Sequence, residues 1–197
     1  MTVIVDYGAG NLRSVQNTLD ELGADYVVTS SARIVSEAGK LILPGVGCFG
    51  QMMRSLDELD LRETLVRRIH GGVPFLGICV GLQCLFEGSD ESPDVKGLGI
   101  FPARVKRFVG QARIPHMGWN SLSSLKDCRL IDGLPAGIFM YFAHSYYAPV
   151  LSATAATCTY MHPYTAILQE RDVYAVQFHP EKSGPAGLRV VKNFIDL

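Results

Sequence analysis

The residues best suited to chemistry lie in Gly77-Ile78-Cys79-Val80-Gly81-Leu82-Gln83. This heptapeptide follows a wholly apolar run and opens a helix-like one, the layout of a nucleophile elbow with cysteine as the nucleophile. An elbow strains the backbone at Cys79, and Gly77 and Gly81 keep side chains away from the adjoining strand and helix. The thiol then sits at a helix N-terminus, whose dipole favours the thiolate. The N–H of Val80 points to where an oxyanion develops. A thiolate nucleophile needs a base, and the base needs an acceptor to orient it. Of the histidines, His70, His116, His144, His162 and His179, the last stands in Gln177-Phe178-His179-Pro180-Glu181 at the end of the apolar run Tyr174 to Phe178. Pro180 stiffens the turn, and Glu181 can accept from the imidazole. His144 is a weaker alternative, because no carboxylate follows it. A third strand end, Pro44-Gly45-Val46-Gly47, offers glycines that let a backbone N–H rotate toward a ligand. Taken singly, each segment also has a plain reading: a buried structural cysteine, a solvated turn, a strand-to-helix connection. Together they favour nucleophilic catalysis.

These groups must be held on one rim. Thr2 to Val5, Tyr26 to Thr29, Lys40 to Leu43 and Pro74 to Ile78 read as short strands rich in apolar residues. A helix capped by Asn11, with Leu12, Val15, Leu19 and Leu22 at three- and four-residue steps, separates the first two and stops at Gly23. A helical region over Met52 to Ile69 and a helix over Val80 to Phe86 flank the fourth strand. Continuously apolar strands alternating with helices predict a parallel sheet covered on both faces, and ligands gather at the C-terminal ends of such strands. From Leu98 to Gln169 helical periodicity fades, and Ala103 to Val109, Phe139 to Tyr147 and Ala153 to Tyr160 read as strands. Val173 to Phe178 is another apolar strand, and Leu188 to Ile195 a closing helix. The expectation is one α/β domain over residues 1–197 with antiparallel strands inserted late.

Composition excludes several classes. With 48% hydrophobic and 19% charged residues the chain is globular, and a net charge of -1 gives no basic excess for nucleic acid. The longest apolar stretch, Val73 to Phe86, is too short and interrupted to span a bilayer. The N-terminus lacks a basic region, and Asp6 breaks its apolar run, so no signal peptide is expected. The cysteines, Cys48, Cys79, Cys84, Cys128 and Cys158, are odd in number with no C-x-x-C pair. That points to free thiols in a reducing, cytoplasmic setting without a metal site. Cys84 reads as a core thiol rather than a resolving partner of Cys79. Gly8-Ala9-Gly10 lacks the third glycine of a dinucleotide fingerprint.

The Pro-Gly-x-Gly strand, the elbow and the His-Pro-Glu turn, in this chain order, resemble the class I (triad-type) glutamine amidotransferases over the whole chain. The resemblance narrows to the glutaminase subunits of imidazole glycerol phosphate synthases, from histidine biosynthesis. It does so through Tyr7-Gly8-Ala9-Gly10-Asn11-Leu12-Arg13-Ser14-Val15, Pro44 to Gly47 with Phe49, Pro115-His116-Met117-Gly118-Trp119-Asn120, and Phe178-His179-Pro180-Glu181-Lys182-Ser183. It implies a flavodoxin-like fold: a mostly parallel sheet flanked by helices, with additional antiparallel strands. It implies that Cys79 attacks the side-chain amide of glutamine, that His179 shuttles the proton and that Glu181 orients it. The oxyanion would be held by the N–H groups of Val80 and, after a peptide flip, Val46. Gln83 and the backbone around Ser145 and Tyr146 would bind glutamine, with Gly47 and Glu87 as further contacts. No metal or organic cofactor is implied. The partner implied is a (β/α)8-barrel cyclase that receives ammonia and makes imidazole glycerol phosphate and aminoimidazole-carboxamide ribonucleotide. Its docking face would comprise Asn11, Arg13, Met117, Trp119, Tyr141 and Lys182. The alternatives are a cysteine peptidase of the same fold, a regulatory subunit with a relic site, and the glutaminase of another pathway, such as pyridoxal phosphate or anthranilate synthesis.

Overall fold

A computed structural model describes residues 1–9, 11–123 and 126–197. Gly10 of the first glycine-rich turn lies outside the described residues. In chain order the elements begin with β1 (Thr2–Val5), α1 (Leu12–Glu21), β2 (Tyr26–Thr29), α2 (Ala32–Ser36), β3 (Lys40–Gly45), α3 (Phe49–Glu58) and α4 (Leu61–His70). Next come β4 (Phe75–Cys79), α5 (Val80–Gln83), β5 (Phe86–Ser89), β6 (Ser92–Lys96), β7 (Phe101–Arg107) and β8 (His116–Ser121). The chain continues with β9 (Phe139–His144), β10 (Tyr146–Tyr147), β11 (Thr154–Tyr160), β12 (His162–Glu170), β13 (Val173–Val176) and α6 (Gly184–Ile195).

The main sheet has seven strands in the order β11-β12-β13-β4-β3-β1-β2. From β13 to β2 every pairing is parallel, while β11 and β12 add an antiparallel edge. Consecutive strand residues face opposite sides, yet Val3, Ile4 and Val5, and likewise Leu41, Ile42 and Leu43, are all fully buried. Both faces of the sheet are therefore covered. Each such side chain contributes about 1.5–3 kcal/mol on burial. This packing fixes the strand ends that carry the site. The strands β5, β6, β7 and β10 form a second sheet, and β8 pairs with β9 alone.

Several expectations change in physical detail. The region Met52 to Ile69 is two helices, because Asp60 adopts a left-handed φ of 56° between α3 and α4. The helix expected over Val80 to Phe86 is one turn long. The backbone of Leu85 and Phe86 instead accepts N–H groups of Ile100, Phe101 and Gly99, which draws Phe86 into β5. The run Phe139 to Tyr147 divides at Ser145, with β9 pairing β8 and β10 pairing β7. Asn11 precedes α1 but makes no capping bond; its Oδ1 accepts from the Ser14 hydroxyl at 2.9 Å. No helix among the described residues is long and apolar enough to cross a membrane.

Candidate active site

Strand β4 ends on Cys79, whose φ of 55° and ψ of -106° lie where a side chain is strained. Three close backbone approaches hold that turn. A Cβ on Gly81 would lie 2.0 Å from the Leu43 carbonyl oxygen, one on Gly77 2.5 Å from the Gly81 oxygen, and one on Gly45 2.5 Å from the Gly81 nitrogen. The elbow is thus wedged between β3 and β4 with no space for other side chains. Because α5 spans only Val80–Gln83, the macrodipole expected there shrinks to the local N–H groups.

His179 enters from the end of β13. Its Nδ1–H donates to Glu181 Oε1 at 2.8 Å, with both side chains buried. That leaves Nε2 for the nearby thiol of Cys79. Burial opposes the charge on this imidazole, but its interactions with Cys79 and Glu181 outweigh it and push the pKa up to about 10. The turn is fastened to β9. The N–H of His179 donates to the Tyr141 carbonyl at 2.9 Å, and Ser183 Oγ links the His179 carbonyl (2.7 Å) to the Tyr141 N–H (3.0 Å). A buried thiol, an imidazole and a carboxylate on two adjacent strand ends have the arrangement that covalent catalysis requires of a nucleophile, a base and an orienting acceptor.

A cavity of about 390 Å³ opens over the thiol. Val46, Gly47, Val80, Gln83, Ser145 and Tyr146 all line it together with Cys79 and His179. Glu87 does not: it is exposed on β5. The carboxylate that reaches the cavity is Glu91, whose Oε2 accepts the N–H of Phe49 at 2.6 Å. Gln83 is buried, and its amide donates to the Tyr146 carbonyl (2.9 Å) and to Gln177 Oε1 (3.2 Å). Both its hydrogens are directed inward, so it offers a ligand its carbonyl oxygen.

His144 has a different job from the one considered for it. Its Nδ1 donates to the Tyr146 carbonyl at 2.8 Å, and its Nε2 lies 3.3 Å from the Tyr164 hydroxyl and 3.4 Å from His116. Burial lowers His144 to about 3 and His116 to about 4, so both rings are neutral near pH 7. Cys84 is a core thiol, bonded to the Gly81 carbonyl at 3.2 Å and pushed up to about 12 by burial. Sequence reasoning missed Gln177, Glu91 and Ser183. Gln177 was the most readable of these, because it stands two positions before His179 in the same short stretch that follows β13.

Beside the cavity lies an exposed apolar face. On β8 and β9 the side chains alternate: Met117 (64% exposed), Trp119 (55%) and Phe139 (56%) point outward, while His116, Met140 and Phe142 are buried. Tyr141 meets Trp119 edge-on, with ring centroids 6.1 Å apart, and Lys182 Nζ sits 5.9 Å from the Tyr141 ring centre. Lys182 and Met117 also line the cavity, so this face and the site are continuous. Asn11 and Arg13 lie at the start of α1, outside the cavity lining.

Comparison with known proteins gives a consistent result. The family described as "Glutamine amidotransferase class-I" matches residues 3–197. A Methanothermobacter thermautotrophicus protein named "Imidazole glycerol phosphate synthase subunit HisH" is 48% identical over 100% of this chain and 98% of its own length. A Methanocaldococcus jannaschii protein of the same name is 42% identical over 100% of both chains. Among solved structures, a crystal structure of a glutamine amidotransferase superposes with a TM-score of 0.77 at 20% identity, covering 98% of this chain and 97% of the other. A putative GMP synthase protein from Thermoplasma acidophilum gives a TM-score of 0.71 at 24% identity, with coverage of 100% and 92%. These two bear on the fold alone.

Proposed function

The chain belongs to the class-I glutamine amidotransferase family, and from that premise we propose that Cys79, His179 and Glu181 are its glutaminase triad and residues 1–197 one glutaminase domain. It is the glutamine-hydrolysing subunit of imidazole glycerol phosphate synthase, in histidine biosynthesis. The observation that carries this reading is the strained Cys79 beside His179, whose Nδ1 lies 2.8 Å from Glu181 Oε1, on the wall of a cavity of about 390 Å³.

The steps follow from the placement of the groups. The Cys79 thiolate attacks the side-chain amide carbon of glutamine, and the N–H of Val80 receives the developing oxyanion, joined by that of Val46 once its peptide faces the site. Protonated His179 gives its proton to the departing nitrogen, so ammonia leaves and a glutamyl thioester remains. Neutral His179 then takes a proton from water, and the hydroxide displaces the sulfur to release glutamate. Glu181 holds the Nδ1–H throughout, which keeps Nε2 aimed at the thiol. Glutamine is held by the Gln83 carbonyl, by Gly47 and by the backbone of Ser145 and Tyr146, with Glu91 opposite its ammonium group.

The partner is the barrel-shaped cyclase subunit, seated on Met117, Trp119, Tyr141 and Lys182, with Asn11 and Arg13 at the rim. Covering the cavity mouth would let ammonia pass to the cyclase before water protonates it, since ammonium is no nucleophile. The free thiols suit a cytoplasmic setting. The test is glutamate release from glutamine by the purified chain, alone and with the cyclase and its nucleotide ligand. A weak rate alone that rises steeply in the ternary mixture is the expected result. No rise with that cyclase would reject the pathway, and no release at all would reject the triad.

A further inference from the structure

The nucleophile has one more neighbour. Gln177 is fully buried, and its Nε2 lies 3.7 Å from Cys79 Sγ. Which end of an amide faces its neighbour is settled by the network around it rather than by shape. Here the network begins at the carbonyl oxygen of Tyr146, which can only accept. Gln83 Nε2 and His144 Nδ1 both approach that oxygen, at 2.9 and 2.8 Å, so each must be a donor. The Gln83 atom that is nitrogen for Tyr146 also reaches Gln177 at 3.2 Å, so the Gln177 atom it meets is oxygen. The remaining atom of the Gln177 amide is therefore the NH2 group, and it faces sulfur. His144 stays neutral near pH 7, so its single N–H remains on Nδ1 and the network keeps one direction.

We propose that Gln177 is a further catalytic residue, whose side-chain N–H donates to Cys79 Sγ and favours the thiolate, oriented through Gln83 and the Tyr146 carbonyl. This rests on the glutaminase reading. The thiolate occurs twice in the cycle, before attack on the amide and when hydroxide expels sulfur from the thioester, and the donor serves both. No proton leaves Gln177. His179 alone cannot make this contact redundant, because its Nε2 must be free to carry the proton to the departing nitrogen.

The experiment follows alkylation of Cys79 by iodoacetamide against pH in the complex with the cyclase, read on the Cys79 peptide so that half-buried Cys48 does not interfere. Gln177→Met keeps the length and removes the donor. It should move the midpoint upward by about one pH unit, the lower end for a hydrogen bond to a charged group. It should also lower kcat/KM for glutamine about tenfold at neutral pH. Gln177→Glu places an acceptor against sulfur and should move the midpoint further. In the unmodified protein, the isotope-labelled side-chain amide signal of Gln177 should titrate with the midpoint of Cys79 alkylation, a readout that needs no variant to fold. A folded variant with the original midpoint, or an amide signal indifferent to that midpoint, would overturn the proposal. A wild-type complex that releases no glutamate would overturn the glutaminase reading instead, while leaving this titration readable.

Discussion

The parallel half of the main sheet and the strands inserted between β4 and β13 solve different problems. In the parallel half, buried neighbouring strands fix where the backbone ends, and Cys79 and His179, the proposed nucleophile and base, stand on those ends. Cys79 is placed by contacts between main-chain atoms of β3, β4 and the elbow. The inserted strands work through side chains. There Phe108 meets Tyr160 and Tyr164 edge-on and His116 stacks on Tyr160 in a polar-edged aromatic cluster, and alternate residues of β8 and β9 reach outward. Glu91, Ser145 and Tyr146 come from this part and form the wall of the cavity opposite the elbow. The proposed triad thus sits where main-chain contacts leave the backbone least freedom, whereas the groups proposed to hold glutamine come from both parts, Gly47 and Gln83 from beside the elbow and Glu91, Ser145 and Tyr146 from the inserted strands.

Substitutions can break that division. Cys79→Ala removes the nucleophile and should lower glutamine-dependent synthesis by at least about 10³-fold. The reaction of the complex with added ammonia should persist, and loss of both in a kinetic assay would assign Cys79 a structural role. On the inserted side, Glu91→Gln should raise KM for glutamine about tenfold or more with kcat less affected. Glu87→Gln should change neither, so steady-state kinetics on the pair decides which carboxylate serves the substrate. Trp119→Ala should weaken cyclase binding about tenfold or more by calorimetry, as expected for a central aromatic anchor. Glutamate release by the isolated chain should stay the same. The smallest effect concerns stability. Folded His179 titrates near about 10, above the unfolded value of about 6.5. Its contribution is therefore fully present below about 6.5 and fades as the pH rises toward about 10. The melting-temperature advantage of the wild type over His179→Asn should narrow across that interval; a gap that widens would contradict the charged pair.

The elements most legible in the sequence were those whose pattern reports burial. Thr2 to Val5 and Pro74 to Ile78 announce themselves as strands because apolar residues run through them, and the strands found there are buried; Tyr26 to Thr29 reads the same way, although its residues lie only partly buried or exposed. The elbow, the His-Pro-Glu turn and the Pro-Gly-x-Gly end were legible because glycine and proline at fixed spacing mark the backbone itself. Long-range pairing was not. Nothing local to Phe86 shows that Ile100 and Phe101 will take the Leu85 carbonyl, so a one-turn helix looked longer than it is. Nor does the run Phe139 to Tyr147 reveal that Ser145 divides it between two sheets. Strand β12 went unread for a similar reason: its pattern makes sense only beside β11 and β13. Glu91 and Glu87 differ only in how that fold turns, and the sequence offers both as exposed acids.

One feature of the elbow reaches past catalysis. Gly45, Gly77 and Gly81 carry no chemistry, yet a methyl group at any of them would collide with main-chain atoms that cannot step aside. In a library of all single substitutions, these silent positions should be as intolerant as Cys79, and more so than Glu181. A scan scored on growth alone would then flag residues that never meet glutamine beside those that do. Only a second screen for folded protein separates the two kinds of intolerance, and the amount of soluble chain, not the rate, is the quantity that tells a missing reagent from a missing space.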